Sequence, residues 1–556
     1  MARAVRWVGA MVAGAALLAG VATWQFRSVK PAPSQLYRAW LDTAPPTADR
    51  GAALMAFGNF GTLDLDTLET SALPWTIVAT ALALRTTGGD AERVDMGAVA
   101  TALKSFGFLY PQVIAGHPDL KPSKVTPLGL SVGDIERTVP PIRVTAMTLG
   151  CAACHAGPAY WPDGTPDPDT AVLGRPNSSL DLEAFAQTTY TAVKVALDEP
   201  AKLERAMARL FPDMTWRDRA TLDWVVLPRL RQKLADLSRT TDRPLPFNNG
   251  APGLTNGVAA LKGQLNLVSP HVFVDGAGFV SIPDLADRAF RSALLADGAY
   301  AEKGRPRFRP IDAAEAAQRD AGAIAGIASF FMVPSMGLSS SRAESAIPEL
   351  VPVIRYLARA RPAAFPGPID PARADAGRLV YARACATCHG RYEESLTQPR
   401  LVSFPNWAGD VGTDRSRVDA FDARLAAAVA RTEHGRRHID AAHTGVIAAP
   451  VLAGLWSSAP YLTNGSIPTL RHLLEPDTRP VRFVVGGHRL DFERVGIAGA
   501  TDASGTWADR TSYRPYSTPV TIDTQKAGFS SRGHEAEVRG LSDEERTQLL
   551  EYLKLL

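Results

Sequence analysis

The sequence predicts a mainly α-helical protein built as two similar halves, and three observations lead to this prediction. The pattern C-x-x-C-H occurs twice, as CAACH at residues 151–155 and as CATCH at residues 385–389. Each copy is followed by a segment with helical spacing of apolar residues, at 349–360 and at 542–556. A Pro-rich stretch, residues 361–371, separates the halves and is typical of a linker. At 556 residues the chain is long enough for two or more cores.

The N-terminal residues 1–30 predict export. Arg3 and Arg6 precede an uncharged run from Trp7 to Phe26. This run is long enough to cross a bilayer once as a signal anchor, or to act as a signal peptide cleaved near Ala22. Positive charges ahead of the run predict that the rest of the chain faces the periplasm. The sequence therefore predicts a protein on the periplasmic side of the inner membrane, anchored there or released into the periplasm by cleavage.

The charge balance argues against nucleic acid as a partner. Lys and Arg number 60 against 57 Asp and Glu, a formal net charge of +3. No long run of one sign is available to follow a phosphate backbone.

The cysteines of the two C-x-x-C-H copies have three chemical interpretations: a zinc site, a redox dithiol and covalent haem attachment. The chain has four cysteines, Cys151, Cys154, Cys385 and Cys388, and both copies together use all of them. Tetrahedral zinc would need ligands from two distant copies, and a redox dithiol does not require the adjacent histidine. The pattern therefore predicts two covalently bound haem c groups, with an iron in each.

Haem c attachment assigns a role to each motif residue and leaves one coordination position open. The thiols form thioethers with the haem, and the adjacent histidines, His155 and His389, are the predicted proximal iron ligands. A histidine or methionine opposite them would close the iron for electron transfer, whereas a free position would admit peroxide or dioxygen. Met332 and Met336 are further candidates for that position. The remaining histidines are His117, His271, His434, His438, His443, His472, His488 and His534.

The predicted organisation follows the motifs. Residues 31–150 are expected to pack on the first haem unit, 151–360 to form the first haem c domain and 372–556 the second. A helix is expected to lead directly into Cys385, and Ser542 with Glu545 predicts a capping box at the start of the last helix. The apolar segment AIAGIASFFMVPSMGL, residues 323–338, would either line an apolar pocket or form a buried helix and turn.

Several short blocks outside the motifs resemble a known group of proteins. GLWSS at 454–458, APYLTNGSIPTLRHLLEP at 459–476 and SSRGHE at 530–535 are similar to exported dihaem proteins of the bacterial cytochrome c peroxidase superfamily. The greatest resemblance is to the branch that contains the dihaem rubber oxygenases. FGNFGTLDLD at 57–66 and VLGRPNSSLDL at 172–182 resemble the same branch more weakly.

This resemblance implies a paired-haem oxidoreductase. The haem of Cys151 and Cys154 would be the open one, reacting with peroxide or dioxygen, and the second haem would transfer electrons. His534 matches the distal ligand of the second haem, while His472 and His488 remain competing candidates. The alternative is a non-catalytic dihaem electron-transfer cytochrome, with both irons closed.

Other predictions concern the surroundings of the haems. The expected partners are a small redox protein or a quinol-linked electron donor, peroxide or dioxygen, and an apolar unsaturated substrate. A calcium ion, which some relatives hold between the haems, has no support in the sequence. Residues considered for proton transfer or for electron exchange between the haems are Glu183, His271, Asp284, Phe290, Trp407, Trp456 and Tyr461.

Overall fold

The computed structural model describes residues 33–64, 72–137, 142–269, 271–274, 276 and 278–556. The predicted export segment, residues 1–30, lies outside the described residues. Within them, no helix combines the length and the apolar character needed to cross a bilayer. This finding corrects the predicted anchoring in the inner membrane, which the described residues do not support.

The prediction of a mainly α fold is wrong, because the chain mixes helices with many small sheets. Helices account for 41% and strands for 15% of the structure. Most strands are two to four residues long, too short for a recognisable alternation of buried and exposed side chains. The longer hairpin of Leu130–Arg137 and Ile142–Leu149 does carry such a pattern in its second strand, and the mainly α prediction overlooked it.

The helices fall on both sides of the Pro-rich stretch. Those before it are α1 Gln35–Thr43, α2 Arg50–Phe57, α3 Trp75–Thr86, α4 Met96–Ser105, α5 Cys151–His155, α6 Leu182–Asp198, α7 Pro200–Leu210, α8 Trp216–Thr221, α9 Leu227–Arg239, α10 Gly257–Gln264, α11 Ala313–Gln318, α12 Ala321–Ala328, α13 Met332–Met336, α14 Ser340–Ser345 and α15 Ile347–Arg359. Those after it are α16 Pro371–Ala384, α17 Ala386–His389, α18 Ser416–Ala420, α19 Ala423–Arg431, α20 Glu433–Arg437, α21 Leu470–Leu474, α22 Glu535–Val538 and α23 Asp543–Leu553.

The strands form small separate sheets. They are β1 Leu73–Pro74, β2 Val113–Ile114, β3 Leu130–Arg137, β4 Ile142–Leu149, β5 Ala156–Tyr160, β6 Pro166–Leu173, β7 Leu254–Thr255, β8 Val280–Ser281, β9 Ala293–Leu294, β10 Tyr300–Glu302, β11 Ile311–Asp312, β12 Arg391–Tyr392, β13 Leu401–Phe404, β14 Ala408–Gly409, β15 Ile439–Ala441, β16 Ile447–Ala448, β17 Arg482–Val485, β18 Leu490–Asp491, β19 Gly496–Ile497, β20 Ala500–Thr501, β21 Thr506–Ala508 and β22 Val520–Asp523. The sheet orders are β1-β4-β3, β2-β6-β5, β7-β8, β15-β10-β9, β11-β13-β12, β14-β16, β20-β21-β17-β22 and β18-β19.

The helices predicted around the second motif are confirmed. α16 ends at Ala384, next to Cys385. The final helix α23 begins with the predicted capping box, in which Ser542 and Glu545 each bond the backbone N–H of the other. α16 and α23 pack so closely that a Cβ at Gly377 would lie 1.9 Å from the Gln548 carbonyl oxygen. Glycine at 377 therefore permits the crossing of these two helices.

The region before the first motif packs against the helix that follows it. α2 crosses α15, the closing helix predicted at residues 349–360, where a Cβ at Gly51 would lie 2.3 Å from the Pro352 carbonyl oxygen. Their apolar faces share one core with α12 and α13. Chain segments far apart in sequence thus enclose the space beside the first motif.

Candidate haem sites

The first C-x-x-C-H motif is a short helix at the end of a β-hairpin. β4 ends at Leu149, and α5 begins two residues later at Cys151. The backbone N–H of Asn177 donates to the Cys154 carbonyl at 2.8 Å, and its side-chain amide donates to the Ala153 carbonyl at 3.2 Å. Asn177 belongs to the block VLGRPNSSLDL. That block therefore fixes the turn that carries both cysteines.

The second motif is entered from a helix instead. After α16, the backbone N–H groups of Cys388 and His389 donate to the Cys385 carbonyl at 3.1 and 2.9 Å. The Tyr381 hydroxyl donates to the Gly390 carbonyl at 3.1 Å and so fixes the exit of the motif. The same pentapeptide is thus held by two unlike scaffolds.

Both motif histidines are oriented by a proline carbonyl. His155 Nδ1–H donates to the Pro283 oxygen at 3.1 Å, and His389 Nδ1–H donates to the Pro450 oxygen at 3.0 Å. A carbonyl oxygen only accepts, so each ring carries its proton on Nδ1 and leaves the Nε2 lone pair for a metal. The sequence analysis missed these prolines, although both stand in a Pro-x-Leu-Ala pattern, at 283–286 and 450–453.

His534 faces His389 across a gap. The ring centroids are 6.2 Å apart and the ring planes differ by 19°. Imidazole nitrogens bind transition metals at about 2 Å, so two nearly parallel rings at this separation leave room for one metal ion between them. His534 Nδ1 is buried and has no hydrogen-bond partner among the described residues. The pair would therefore hold one haem iron between its two rings, and the ligand roles of His389 and His534 stay a prediction.

The backbone around His534 is held in an unusual conformation. His534 has a φ of +65°, in the left-handed region, and its backbone N–H donates to the Val411 carbonyl at 2.9 Å. Arg479 donates to the Gly533 carbonyl at 2.9 Å and pairs with Glu535 at 2.7 Å. These contacts present the imidazole to His389.

The block APYLTNGSIP anchors the segment that leads to His534. The Asn464 amide donates to the carbonyls of Gly528 and Ser530 at 3.1 and 3.0 Å. The Ser466 hydroxyl contacts Asn464 Oδ1 at 2.8 Å and the Ser530 carbonyl at 2.9 Å. The residues that carry the sequence resemblance therefore support the predicted iron ligand without contacting the iron position.

Among the residues that the structure describes, no comparable ring faces His155. Within the described part of the chain, the histidines with aromatic or imidazole neighbours are His117, His389, His434, His438, His472 and His534. His472 bonds the Thr469 hydroxyl at 2.8 Å, and His488 accepts from the Gly486 N–H at 3.2 Å. Neither of these two competitors belongs to the cavity wall shared by the motifs.

One large cavity connects the two motifs. It has a volume of about 2200 Å³, and its wall includes the cysteines and histidine of both motifs as well as His534. The predicted segment 323–338 contributes Phe331, Met332, Met336 and Leu338 to this wall. α6 and α9 contribute a second apolar part: Leu182, Phe185, Val193, Leu230, Leu234 and Leu237.

Burial keeps the motif side chains neutral. It lowers the pKa of His155 to about 4, with a further contribution from Arg288. It lowers the pKa of His389 to about 4 as well, helped by His534. Burial also raises the pKa of Cys151 and of Cys154 to about 12. Neutral imidazoles are the form that binds a metal.

The residues considered for proton transfer lie in different settings. Asp284 is on the cavity wall, and burial raises its pKa to about 6. Glu183 is bonded to Arg243 and to the backbone N–H of Asn249. His271 lies on the exposed surface. Of the three, only Asp284 is positioned beside the cavity.

The four aromatic residues considered for electron exchange also lie in different settings. Trp407 and Tyr461 are on the cavity wall, whereas Phe290 and Trp456 are not. Phe290 packs in a small core with Phe404. The guanidinium of Arg175 lies over the Trp456 ring, with its central carbon 4.9 Å from the ring centroid.

The described residues contain no cluster of three or more His, Cys, Asp or Glu side chains arranged to hold a metal ion. The suggested calcium ion therefore gains no support.

Comparison with known proteins is consistent with this geometry. Residues 446–484 match the model of a RoxA-like, cytochrome c-like family. The RoxA-like segment contains Pro450, which orients His389, as well as Asn464, Ser466 and Arg479, which support His534. A cytochrome c-like domain implies covalently bound haem c with its iron, and it indicates a haem-based oxidoreductase.

Two curated relatives, both from Sinorhizobium fredii (strain NBRC 101917 / NGR234), are described only as uncharacterized proteins. The protein y4iM is 30% identical over 210 residues, which cover 33% of this chain and 45% of the relative. The protein y4iJ is 23% identical over 493 residues, which cover 74% of this chain and 77% of the relative. The chain thus spans less than half of the length of y4iM, and neither name assigns an activity.

Proposed function

We propose that this protein is a dihaem oxidoreductase in which the first haem reacts with dioxygen or peroxide and the second transfers electrons. Cys151 and Cys154 would attach the first haem, and Cys385 and Cys388 the second. His155 and His389 would be the proximal ligands, with His534 opposite His389. A haem iron with a free coordination position supplies the site that binds and activates the oxidant.

The observation that carries this proposal is the asymmetry between the two motif histidines. His534 lies 6.2 Å from His389, ring to ring, whereas no described imidazole stacks on His155. Two axial histidines favour electron transfer, and a single one leaves a position for a small ligand. One chain therefore offers both functions.

The apolar cavity favours oxygenation of an apolar substrate over simple peroxide removal. Binding sites for apolar molecules are lined by hydrophobic side chains with few polar groups. The wall formed by α6 and residues 323–338 is mostly of this kind, whereas α9 adds Arg229, Lys233 and Asp236 to its leucines. Peroxide reduction needs no such volume, but it needs a nearby acid or base. Asp284 is the candidate for that role if peroxide is the substrate.

The electron partner we propose is a small redox protein or a quinol-linked donor, in line with the sequence resemblance. Trp407 and Tyr461, on the cavity wall, are the aromatic residues best placed to exchange electrons between the haems.

The first test is spectroscopic. We expect mass spectrometry and haem absorbance to give two haems in the purified protein, and one haem when Cys151 and Cys154, or Cys385 and Cys388, are replaced by Ser. Electron paramagnetic resonance should show one low-spin and one ligand-accessible haem. Of the two paired variants, only the one lacking Cys151 and Cys154 should lose the binding of carbon monoxide and cyanide.

A second test separates the substrates. Oxygen uptake with polyisoprene or unsaturated lipids, compared with peroxide consumption supported by a reduced cytochrome, distinguishes oxygenase from peroxidase. Two low-spin haems that bind neither cyanide nor carbon monoxide would instead indicate a plain electron-transfer cytochrome.

A further inference from the structure

The segment Pro283–Arg291 links the supports of the two motif histidines. At one end, the Pro283 carbonyl accepts from His155 Nδ1–H. At the other end, Arg291 Nη1 donates to the Ala449 carbonyl at 3.1 Å. Ala449 precedes Pro450, whose carbonyl accepts from His389 Nδ1–H. The segment therefore runs along the cavity wall between the two sites.

Arg291 is a buried cation without an ion-pair partner among the described residues. Its side chain lies on the cavity wall, and the residue is 5% exposed. It donates to three neutral carbonyls, those of Ala293, Leu295 and Ala449, each at 3.1 Å. The nearby carboxylate of Asp297 is already bound to Arg417, at 2.8 Å.

Arg288 adds a second positive charge beside it. Its Nε donates to the Asp284 carbonyl at 2.9 Å. The carboxylates of Asp284 and Asp287 act on its charge, although neither forms an ion pair with it within the described ranges. Burial, with a smaller contribution from the charge of Arg288, lowers the pKa of Arg291 to about 9. Buried cations are unfavourable unless an anion compensates them. Asp284 and Asp287 supply negative charge near Arg288, so Arg291 is the cation of this wall that lacks a carboxylate of its own among the described residues.

The hydrogen bonds of Arg291 leave room for such an anion. A guanidinium has five N–H groups, and the three carbonyl bonds use Nε–H and one N–H on each terminal nitrogen. One N–H on each terminal nitrogen remains. A carboxylate oxygen is a strong acceptor for guanidinium N–H groups of this kind.

We propose that Arg291, assisted by Arg288, is a carboxylate-binding subsite of the cavity, and that it takes a propionate group of a bound haem c. The inference rests on the proposed function, because it assumes haem attachment at the motifs. Arg291 is then a positioning residue, which fixes the haem through its side group and holds a positive charge close to it.

The test compares three variants of the haem-loaded protein. Arg291→Gln removes the charge, and Arg291→Lys retains it. Arg319→Gln is the matched control, because Arg319 supports the same segment through the Arg291 carbonyl at 2.5 Å and pairs with Glu302 at 3.3 Å, but does not belong to the cavity wall. The reduction midpoint of each haem is measured by spectroelectrochemical titration, alongside the haem count.

In Arg291→Gln we expect the reduction equilibrium of at least one haem to move about tenfold toward the oxidised form, which is 59 mV for a one-electron couple. The reason is that a cation near the haem stabilises the added electron. Arg291→Lys should recover most of this change, and Arg319→Gln should leave both midpoints unchanged. If Arg291→Gln does not accumulate, Arg288→Gln should shift a midpoint in the same direction.

Three results would overturn the proposal. Midpoints that do not move in a fully loaded Arg291→Gln protein, or in Arg288→Gln where that variant replaces it, would exclude the subsite. Equal shifts in Arg291→Gln and Arg319→Gln would assign Arg291 a purely structural role. If the midpoints of wild type and Arg291→Gln differ only when acetate is added, the ligand of Arg291 is a soluble carboxylate and not a haem propionate. A wild-type haem count below two would instead count against the proposed function itself.

Discussion

The two C-x-x-C-H regions share one way of orienting their histidine and differ in almost everything else. In both, a proline carbonyl accepts from Nδ1–H. The first motif follows a β-hairpin and is fixed by Asn177, whereas the second follows α16, which packs on α23. Of the two motif histidines, His389 is faced by the imidazole of His534, whereas no imidazole of the described residues stacks on His155.

Under the proposed function, the pentapeptide sets haem attachment, and the group opposite its histidine sets reactivity. The decisive group on the far side of the second site comes from residues 530–535, a segment distant in sequence and held in place by Asn464 and Arg479. Predictions that alter one region while leaving the other unchanged therefore test the comparison directly.

The largest effect is expected from His534→Ala, which would make the second site resemble the first. Without the facing imidazole, the low-spin signal of one haem should be lost, and the number of haems that bind carbon monoxide should rise from one to two. Electron paramagnetic resonance and carbon monoxide titration measure both changes. His472→Ala is the control, because His472 is buried but bonds Thr469 outside the cavity wall. An unchanged spectrum in His534→Ala would refute the ligand assignment.

A smaller effect, on stability, is expected from Gly377→Ala in the second region. The added Cβ would lie 1.9 Å from the Gln548 carbonyl oxygen, so α16 and α23 must separate. We expect a loss of about 3 kcal/mol or more, at the upper end of overpacking effects, measured by denaturant unfolding. Gly540→Ala, whose Cβ would meet no atom within 4 Å, should stay within about 0.5 kcal/mol of wild type.

The matching change in the first region is Gly129→Ala, with its Cβ 1.8 Å from the Ala153 nitrogen. It should perturb the haem held by Cys151 and Cys154, while Gly377→Ala should perturb the other haem. If both variants disturbed the same haem, the two regions would not position their haems independently of each other.

Local signals in the sequence predicted the helices well. The capping box of Ser542 and Glu545 and the helix leading into Cys385 are confirmed, because each depends on neighbouring residues. The fold class was wrong, because strands such as Val113–Ile114 and Ala408–Gly409 are too short to show a pattern. They form only where distant segments meet.

The candidate site likewise combines features that neighbouring residues determine with features that depend on distant segments. The motif residues could be identified from local spacing, and the cavity wall at 323–338 was among the alternatives considered. Pro283 and Pro450 follow their histidines by 128 and 61 residues, so spacing alone could not pair them. The recurrence of Pro-x-Leu-Ala was the only available signal. His534 came from resemblance, and its assignment stays a prediction.

The smallest effect is expected from Glu535→Gln. This variant tests whether the Glu535 ion pair is needed to keep the His534 imidazole facing His389. Glu535 pairs with Arg479 at 2.7 Å and accepts from the Gly533 N–H at 2.8 Å. Solvent screens Glu535, which is 36% exposed, but its partner Arg479 is only 6% exposed, so loss of this charge should cost about 1 to 3 kcal/mol.

The second haem should nevertheless remain low spin in Glu535→Gln, because the amide keeps an acceptor for the Gly533 N–H and the anchor at Asn464 is untouched. Electron paramagnetic resonance spectra of Glu535→Gln measure the spin state. Glu545→Gln is the control, because Glu545 is also an ion-paired glutamate, at the start of α23. A substantial high-spin fraction in Glu535→Gln alone would mean that the ion pair, and not the Asn464 anchor, decides the difference between the two regions.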